Sequence, residues 1–174
     1  MIKIEIPVEI CREGIKLPQY ANIGDSGMDV RAAEDVYIDP LQTVIIPTGL
    51  KVAIPQGYEI QVRPRSGVSI KTPLRISNSI GTVDSGYRDE IGVIITNTSP
   101  LASNPFDIAF GLGIEKLFTI DEKDNRHGTY FIRKGDRIAQ LVLNEVPMIE
   151  WKVIDSVKDI GIDREGGFGS TGVI

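Results

Sequence analysis

Asp84 is the residue whose surroundings suit it best to chemistry. It stands in the stretch Asn78-Ser79-Ile80-Gly81-Thr82-Val83-Asp84-Ser85-Gly86-Tyr87-Arg88-Asp89-Glu90-Ile91-Gly92. Apolar Val83 leads into the carboxylate, and Ser85-Gly86 turns the chain sharply, standing Tyr87 beside Asp84 on one rim. A carboxylate is a weak base, but it suffices when it holds a water within reach of an electrophile. The same Asp-Ser-Gly also suits a plain hairpin in which Asp84 caps a turn. A second polar group, Arg63-Pro64-Arg65-Ser66-Gly67-Val68-Ser69, interrupts an alternating pattern at a strand's end. Two guanidinium forks, a hydroxyl and a closely approached glycine amide are what phosphate oxygens need, although Arg-Ser-Gly alone is also an ordinary solvated turn. A third group lies between Gly161 and Gly172, where Arg164, Phe168, Ser170 and Thr171 sit among five glycines. Such a tail cannot bury a core and is expected to be mobile at rest. It is either a frayed terminus or a lid, with an aromatic and the donors of Gly169-Ser170-Thr171-Gly172 closing over a base and a phosphate together.

Composition narrows the partners these groups serve. The 174 residues are enough for one domain, burying roughly 70% of the surface the unfolded chain would expose. Hydrophobic content of 41% and charged content of 25% are ordinary for a globular protein. A formal net charge of −5 argues against broad binding to nucleic acid or an acidic membrane, so an anionic ligand must meet a local arginine cluster or a metal ion. The single cysteine, Cys11, cannot form an internal disulfide. No apolar run approaches a membrane span, and the first six residues alternate instead of forming a signal peptide's apolar block. A cytoplasmic protein is the simplest expectation. The only histidine, His127, lies in a polar stretch, which points the chemistry toward carboxylates.

The elements that must position these groups read as strands. Ile2, Ile4 and Ile6 share one face against Lys3 and Glu5, predicting a short half-buried strand ended by Pro7. Asp25-Ser26-Gly27-Met28-Asp29-Val30-Arg31-Ala32-Ala33 reads as a turn and a strand, with Asp29 opposite Met28 and Val30. From Val36 to Arg63, short alternating runs are punctuated by Pro40, Pro47-Thr48-Gly49 and Pro55-Gln56-Gly57. This spacing indicates an all-β sandwich or barrel. Leu74 to Ile80 and Ile91 to Ile95 flank the Asp84 stretch. Ser99 to Gly128 predicts an elaborated hairpin or small subdomain, with a short helix near Ile114 to Phe118 as the alternative. Tyr130 to Ile132 resumes the strands, Lys134-Gly135-Asp136 turns, and Arg137 to Leu143 alternates. Gln140, on the face of Ile138 and Val142, is either a satisfied core amide or a ligand contact. Trp151 and Val153 suit a last strand.

Five stretches, in this order and spacing, resemble the five motifs of the trimeric dUTP diphosphatases (dUTPases), members of the dUTPase/dCTP deaminase superfamily. They are Asp25 to Ala33, Arg65-Ser66-Gly67, Asn78 to Ile91, Gly135-Asp136-Arg137-Ile138-Ala139-Gln140, and Arg164 to Gly172. The resemblance implies a jelly-roll-like β-barrel over residues 1–160 and a glycine-rich arm over 161–174. It also implies a homotrimer in which the arm of one chain closes a site formed by the other two. The implied reaction is hydrolysis of dUTP to dUMP and pyrophosphate, limiting uracil incorporation into DNA and supplying dUMP for dTMP synthesis, in a cell or under a phage genome in the host cytoplasm.

Residue by residue, the resemblance makes Asp84 the base that orients and deprotonates the attacking water. Asp29 matches the position holding the waters of a Mg²⁺ across the triphosphate, in keeping with a hard cation that retains most of its water shell. Arg65, Ser66, Gly67 and Gln140 match phosphate contacts. Tyr87 matches the ring under the deoxyribose, where a ribose 2′-hydroxyl would strike the ring and find no partner. Asn78 and the backbone of Gly81, Thr82 and Val83 match the uracil pocket, Phe168 the lid stacked on uracil, and Arg164, Gly169, Ser170 and Thr171 the γ-phosphate grip.

The chain departs from the family pattern twice. Where the arm usually reads Arg-Gly-x-Gly-Gly-Phe, Arg164-Glu165-Gly166-Gly167-Phe168 is one residue shorter, which shifts Arg164 by up to about 3.5 Å if Phe168 stays in place. The insert at about 99–128 is much longer than the usual connection and resembles those of some phage and bacterial members. It reads as a passive surface elaboration or as a docking site for a partner protein. Two rival functions bear weighing. dCTP deaminases place a glutamate ten residues after the aspartate matching Asp84, where this chain has Ile94, which cannot shuttle protons. A non-catalytic nucleotide-binding module would bind dUTP without turnover, and has little reason to keep Asp84, Asp29 and Tyr87 together.

Overall fold

A computed structural model describes residues 3–101, 117–158 and 160–163. Within them the chain forms twelve strands and one short helix, in four sheets. The sheet that carries most of the candidate site has the order β2 (Met28–Arg31), β12 (Arg137–Glu145), β6 (Tyr58–Pro64), β8 (Gly81–Val83), all antiparallel. Its register places Asp29 opposite Gln140 and Gln140 opposite Arg63, while Val83 lies opposite Ile60 further along β6. A shift between Arg137 and Ala139 relative to β2 bends β12 where it enters the sheet.

The remaining sheets frame this one. β4 (Thr43–Pro47) and β7 (Leu74–Ile76) flank β9 (Gly92–Asn97), and β3 (Val36–Ile38) and β10 (Leu117–Thr119) flank β11 (Thr129–Ile132). β1 (Val8–Ile10) pairs with β5 (Leu50–Val52). The predicted alternation is realised: Leu50, Val52 and Ile54 share one buried face, as do Ile60 and Val62, because a pleated strand sends alternate side chains to one side. One apolar cluster runs from Val30 to Leu141 and joins all these layers.

Four expectations need correction. Ile4 and Ile6 are half-buried between exposed Lys3 and Glu5, but residues 3–7 form no strand; pairing begins only at Val8, after Pro7, which has no N–H to donate. Arg65-Ser66-Gly67 is not a turn: Ser66–Lys71 is a one-turn helix, α1, anchored by buried Val68 and ended where Thr72 Oγ1 donates back to the Val68 carbonyl at 2.8 Å. Trp151 and Val153 form no last strand among the described residues; they are 84% and 96% exposed. Leu117 and Phe118 lie in β10, which excludes the helix alternative there, while residues 102–116 lie outside the described residues.

β10 also revises the expected hairpin, since it pairs in parallel with β11, Phe118 opposite Tyr130. The insert is therefore tied into the body on its C-terminal side. Phe118 and Ile120 belong to the core, and Phe118 meets the Tyr130 ring at 5.8 Å between centroids. Its two ends are stapled by fully buried Asn97, which donates to the Ile38 and Gly128 carbonyls at 2.9 and 2.7 Å and accepts from Ser99 N at 3.0 Å. Gly128 N in turn donates to Ser99 Oγ at 3.1 Å. Burial drives the Tyr130 hydroxyl's pKa up to about 12, helped by the charge of Glu122, so it stays protonated and donates to the Arg126 carbonyl.

Candidate active site

The Asp84 stretch builds a pocket by closing a tight turn on the end of a buried strand. β8 sends Gly81 and Val83 into the core and Thr82 to the surface, and Asp84 follows at its exposed end. Tyr87 N donates to the Asp84 carbonyl at 3.0 Å, closing the turn through Ser85-Gly86. A cleft of about 180 Å³ lies beneath, lined by Val62, Asn78, Gly81, Thr82, Val83, Tyr87, Ile91, Gly92 and Ile94. All five residues expected to form the nucleoside pocket are brought together here. Its floor has no room to spare: a Cβ on Gly81 would stand 3.2 Å from Asn78 Nδ2 and 3.3 Å from Val62 Cβ. Ile94 is part of the wall, which puts an apolar side chain where the deaminase reading needs a carboxylate.

The expected phosphate contacts gather elsewhere. Arg65 leaves the end of β6 and turns back to Asp29, with Nε to Oδ1 at 2.8 Å and Nη2 to Oδ2 at 3.1 Å. Arg137 Nη1 reaches the same Oδ2 at 3.2 Å, and Gln140 Nε2 approaches Oδ1 at 3.4 Å. Gln140 is thus a half-buried amide whose partner is Asp29. Beside this cluster a cleft of about 380 Å³ is lined by Arg31, Arg65, Gly67, Lys71, Arg137 and both aspartates Asp121 and Asp136, among others. Ser66 is exposed at the start of α1. Arg31, Lys71 and Asp121 had no role assigned from the sequence; only Arg31, two residues after Asp29 on the same side of β2, carries a visible signal.

The register shows how far apart the two halves lie. Asp84 follows Val83, which is opposite Ile60, whereas Arg65 is five residues beyond Ile60 on β6. At 3.3 Å per residue, Asp84 and Arg65 of one chain are about 20 Å apart. Arg164, Phe168, Gly169, Ser170 and Thr171 lie outside the described residues.

A polar network behind the pocket was missed in the sequence. The Glu90 carboxylate accepts from Arg12 Nε and from Gly49 N, both at 2.7 Å, and the Glu90 carbonyl accepts from the Tyr87 hydroxyl at 2.9 Å. Burial opposes the charged form of Glu90, but the hydrogen bonds from Arg12 and Gly49 and the charges of Arg12 and Lys51 outweigh it, so its carboxyl is held below the usual range. The hydrogen bond and charge of Glu90, with a contribution from Glu34, raise Arg12 against a smaller desolvation effect. Because the partners are 41 and 78 residues apart in sequence, no local spacing announces them.

An all-β body with a glycine-floored, carboxylate-rimmed pocket and a separate guanidinium cleft defines the class of protein. The family model for dUTPase matches residues 13–111, and the chain belongs to the dUTPase family. It is 41% identical to the deoxyuridine 5′-triphosphate nucleotidohydrolase of Fusobacterium nucleatum over 174 residues, covering 99% of each chain. It is 39% identical to that of Finegoldia magna, covering 90% of this chain and 91% of the relative. Among solved structures, the dUTPase of Staphylococcus bacteriophage 80alpha with dUpNHpp superposes with a TM-score of 0.83 at 32% identity, covering 98% of this chain and all of that one. The dUTPase of S. aureus phage phi11, which coordinates a structural Mg(II) ion, does so with a TM-score of 0.75 at 30% identity, covering 89% and 99%.

Proposed function

We propose that this protein hydrolyses dUTP to dUMP and pyrophosphate, at sites assembled between chains of a homotrimer. The observation that carries the reading is the pocket in which Asn78, Gly81, Thr82, Val83 and Tyr87 converge below the exposed carboxylate of Asp84. Uracil enters against Asn78 and the β8 backbone, whose fixed donors and acceptors reject cytosine. The tight floor at Gly81 supports a rigid wall against thymine's methyl. A loose pocket would discriminate that methyl by only about 1–3 kcal/mol. Tyr87 lies under the sugar and leaves a 2′-hydroxyl unpaired.

Asp84 takes a proton from a water as its oxygen bonds to the α-phosphorus, the bond from that phosphorus to the bridging oxygen breaks, and pyrophosphate leaves with the bond's electrons. Arg65, Ser66, Gly67 and Gln140 hold the phosphates, and Arg164, Ser170 and Thr171 complete the grip at the γ-phosphate under the Phe168 lid. The donor set fits magnesium held largely through its waters: Asp29 is a single carboxylate, and the described residues contain no group of three or more acidic, histidine or cysteine ligands. When bound, Mg²⁺ would supply positive charge toward the phosphates. Asp29 would hold its waters from the outer shell, since both carboxylate oxygens already accept from Arg65 and Arg137.

Two features support the trimer. A separation of roughly 20 Å between Asp84 and Arg65 of one chain suits a second chain bringing a phosphate-binding half to each pocket. Met148, Ile149, Trp151, Val153, Val157, Ile160 and Ile162 are exposed in the single chain, an apolar run suited to burial against other copies. Residues 1–160 then act as the body and 161–174 as the arm closing a neighbour's site, in the cytoplasm, with the 99–128 segment available to a protein partner. Assaying dUTP, dCTP, dTTP and UTP for pyrophosphate and ammonia tests the reading. Mg²⁺-dependent pyrophosphate from dUTP alone is expected; ammonia from dCTP, or dUTP binding without turnover, would sink it.

A further inference from the structure

The Tyr87 wall is held from outside the pocket. Glu90, whose carbonyl takes the Tyr87 hydroxyl, is pinned through its side chain by Gly49 N and Arg12. The next residue is pinned as well: Ile91 N donates to the Leu50 carbonyl at 2.9 Å, and its own carbonyl accepts from Thr48 N at 3.1 Å and Thr48 Oγ1 at 2.7 Å. Gly49 is at φ +74°, and a Cβ there would come within 2.4 Å of Ile15 Cγ1, so turn and N-terminal strap meet without an intervening side chain. The strap is itself fastened, by Cys11 N to the Gly49 carbonyl at 3.0 Å, Arg12 Nη1 to Glu34 at 2.7 Å and Lys134 Nζ to the Glu13 carbonyl at 2.8 Å. Arg12 and Glu90 do not line the pocket. Their side chains are 39% and 23% exposed, where an ion pair adds little stability, so what this pair supplies is position.

We infer that Arg12 and Glu90 are positioning residues for sugar selectivity: by fixing the Glu90 carbonyl they fix the Tyr87 hydroxyl, and with it the plane of the ring that a 2′-hydroxyl would strike. This rests on the reading of Tyr87 as the wall under the deoxyribose. The test is kcat/KM for dUTP and for UTP in the full-length wild type, Arg12→Met, Glu90→Gln and Glu34→Gln, with thermal midpoints measured alongside. The ratio of dUTP to UTP should fall about tenfold in the first two variants, a change of 1.4 kcal/mol in discrimination. Glu34→Gln, which cuts only the outer arm of Arg12, should stay within about twofold of wild type. Equal loss on both substrates, with the ratio unchanged, would show a merely structural network and overturn the inference while leaving the dUTPase reading intact. A wild type that does not distinguish the two sugars would overturn the reading of Tyr87 and this inference with it. Should Arg12→Met fail to fold, Tyr87→Phe carries the test: by itself it should lower the dUTP-to-UTP ratio, and adding Arg12→Lys should lower that ratio no further. Additive losses would contradict the proposed chain of contacts.

Discussion

The nucleoside pocket and the phosphate cleft are built on opposite principles. The pocket is rigid and uncharged, with a glycine floor, strand backbone and apolar walls fixed by the core beneath it. The cleft is a set of long charged side chains whose positions depend on one another, since Asp29 accepts from Arg65, Arg137 and Gln140 at once. Recognition of a flat base rewards fixed geometry, whereas neutralising a triphosphate requires side chains able to exchange an internal carboxylate for an external anion. The two are also set apart along β6, in keeping with the proposal that each site joins two chains.

Breaking the pocket's rim should have the largest effect. Asp84→Asn removes the base without altering volume, and turnover of dUTP should fall about 10²–10⁴-fold while binding of a non-hydrolysable analogue, followed by calorimetry, is retained. In the cleft, Arg65→Met leaves Asp29 and a phosphate oxygen each short of a charged donor. A loss of about 1.5–3 kcal/mol, or about 10- to 150-fold in kcat/KM for dUTP, should be measured in steady-state kinetics. Gly81→Ala sharpens the contrast. Its methyl must displace Asn78 and Val62 by a few tenths of an ångström, so affinity for dUMP should fall about tenfold with little change in the pyrophosphate inhibition constant.

The smallest effect is on stability against acid. Glu90 in the folded chain titrates below its ordinary value of 4.5, so the unfolded state binds more protons between the two values. Its contribution is present above 4.5 and is lost as pH falls through the lowered folded value. The cations that face Glu90 are Arg12 and Lys51, and Glu34 faces the other arm of Arg12. Thermal midpoints of wild type should drop in this acid range, and Glu90→Gln should flatten that part of the curve.

What could be read without coordinates follows the range of each interaction. Alternation revealed β5, β6 and β12 because a pleat repeats every two residues, and Asp84 with Tyr87 was visible because one turn joins them. The phosphate group was recognised by residue type, but its first turn of helix was not, since Ser66-Gly67 carries no helical period. Trp151 and Val153 look like core residues in isolation, and their exposure is a property of a single chain. Asn97 stapling the insert, and Arg12 reaching Glu90, join residues too distant in sequence for any spacing rule. Within the segment at about 99–128, the parallel strand β10 runs against the expectation of a hairpin.

The separation of the two halves can be tested by subunit mixing. Asp84→Asn and Arg65→Met chains, each impaired alone, are co-expressed in equal amounts and the mixed oligomers assayed for pyrophosphate release at dUTP concentrations well below KM. If each site joins Asp84 of one chain to Arg65 of another, random assembly leaves about one quarter of the sites intact and restores about that share of wild-type turnover. Activity no greater than the sum of the two separate variants would contradict the account.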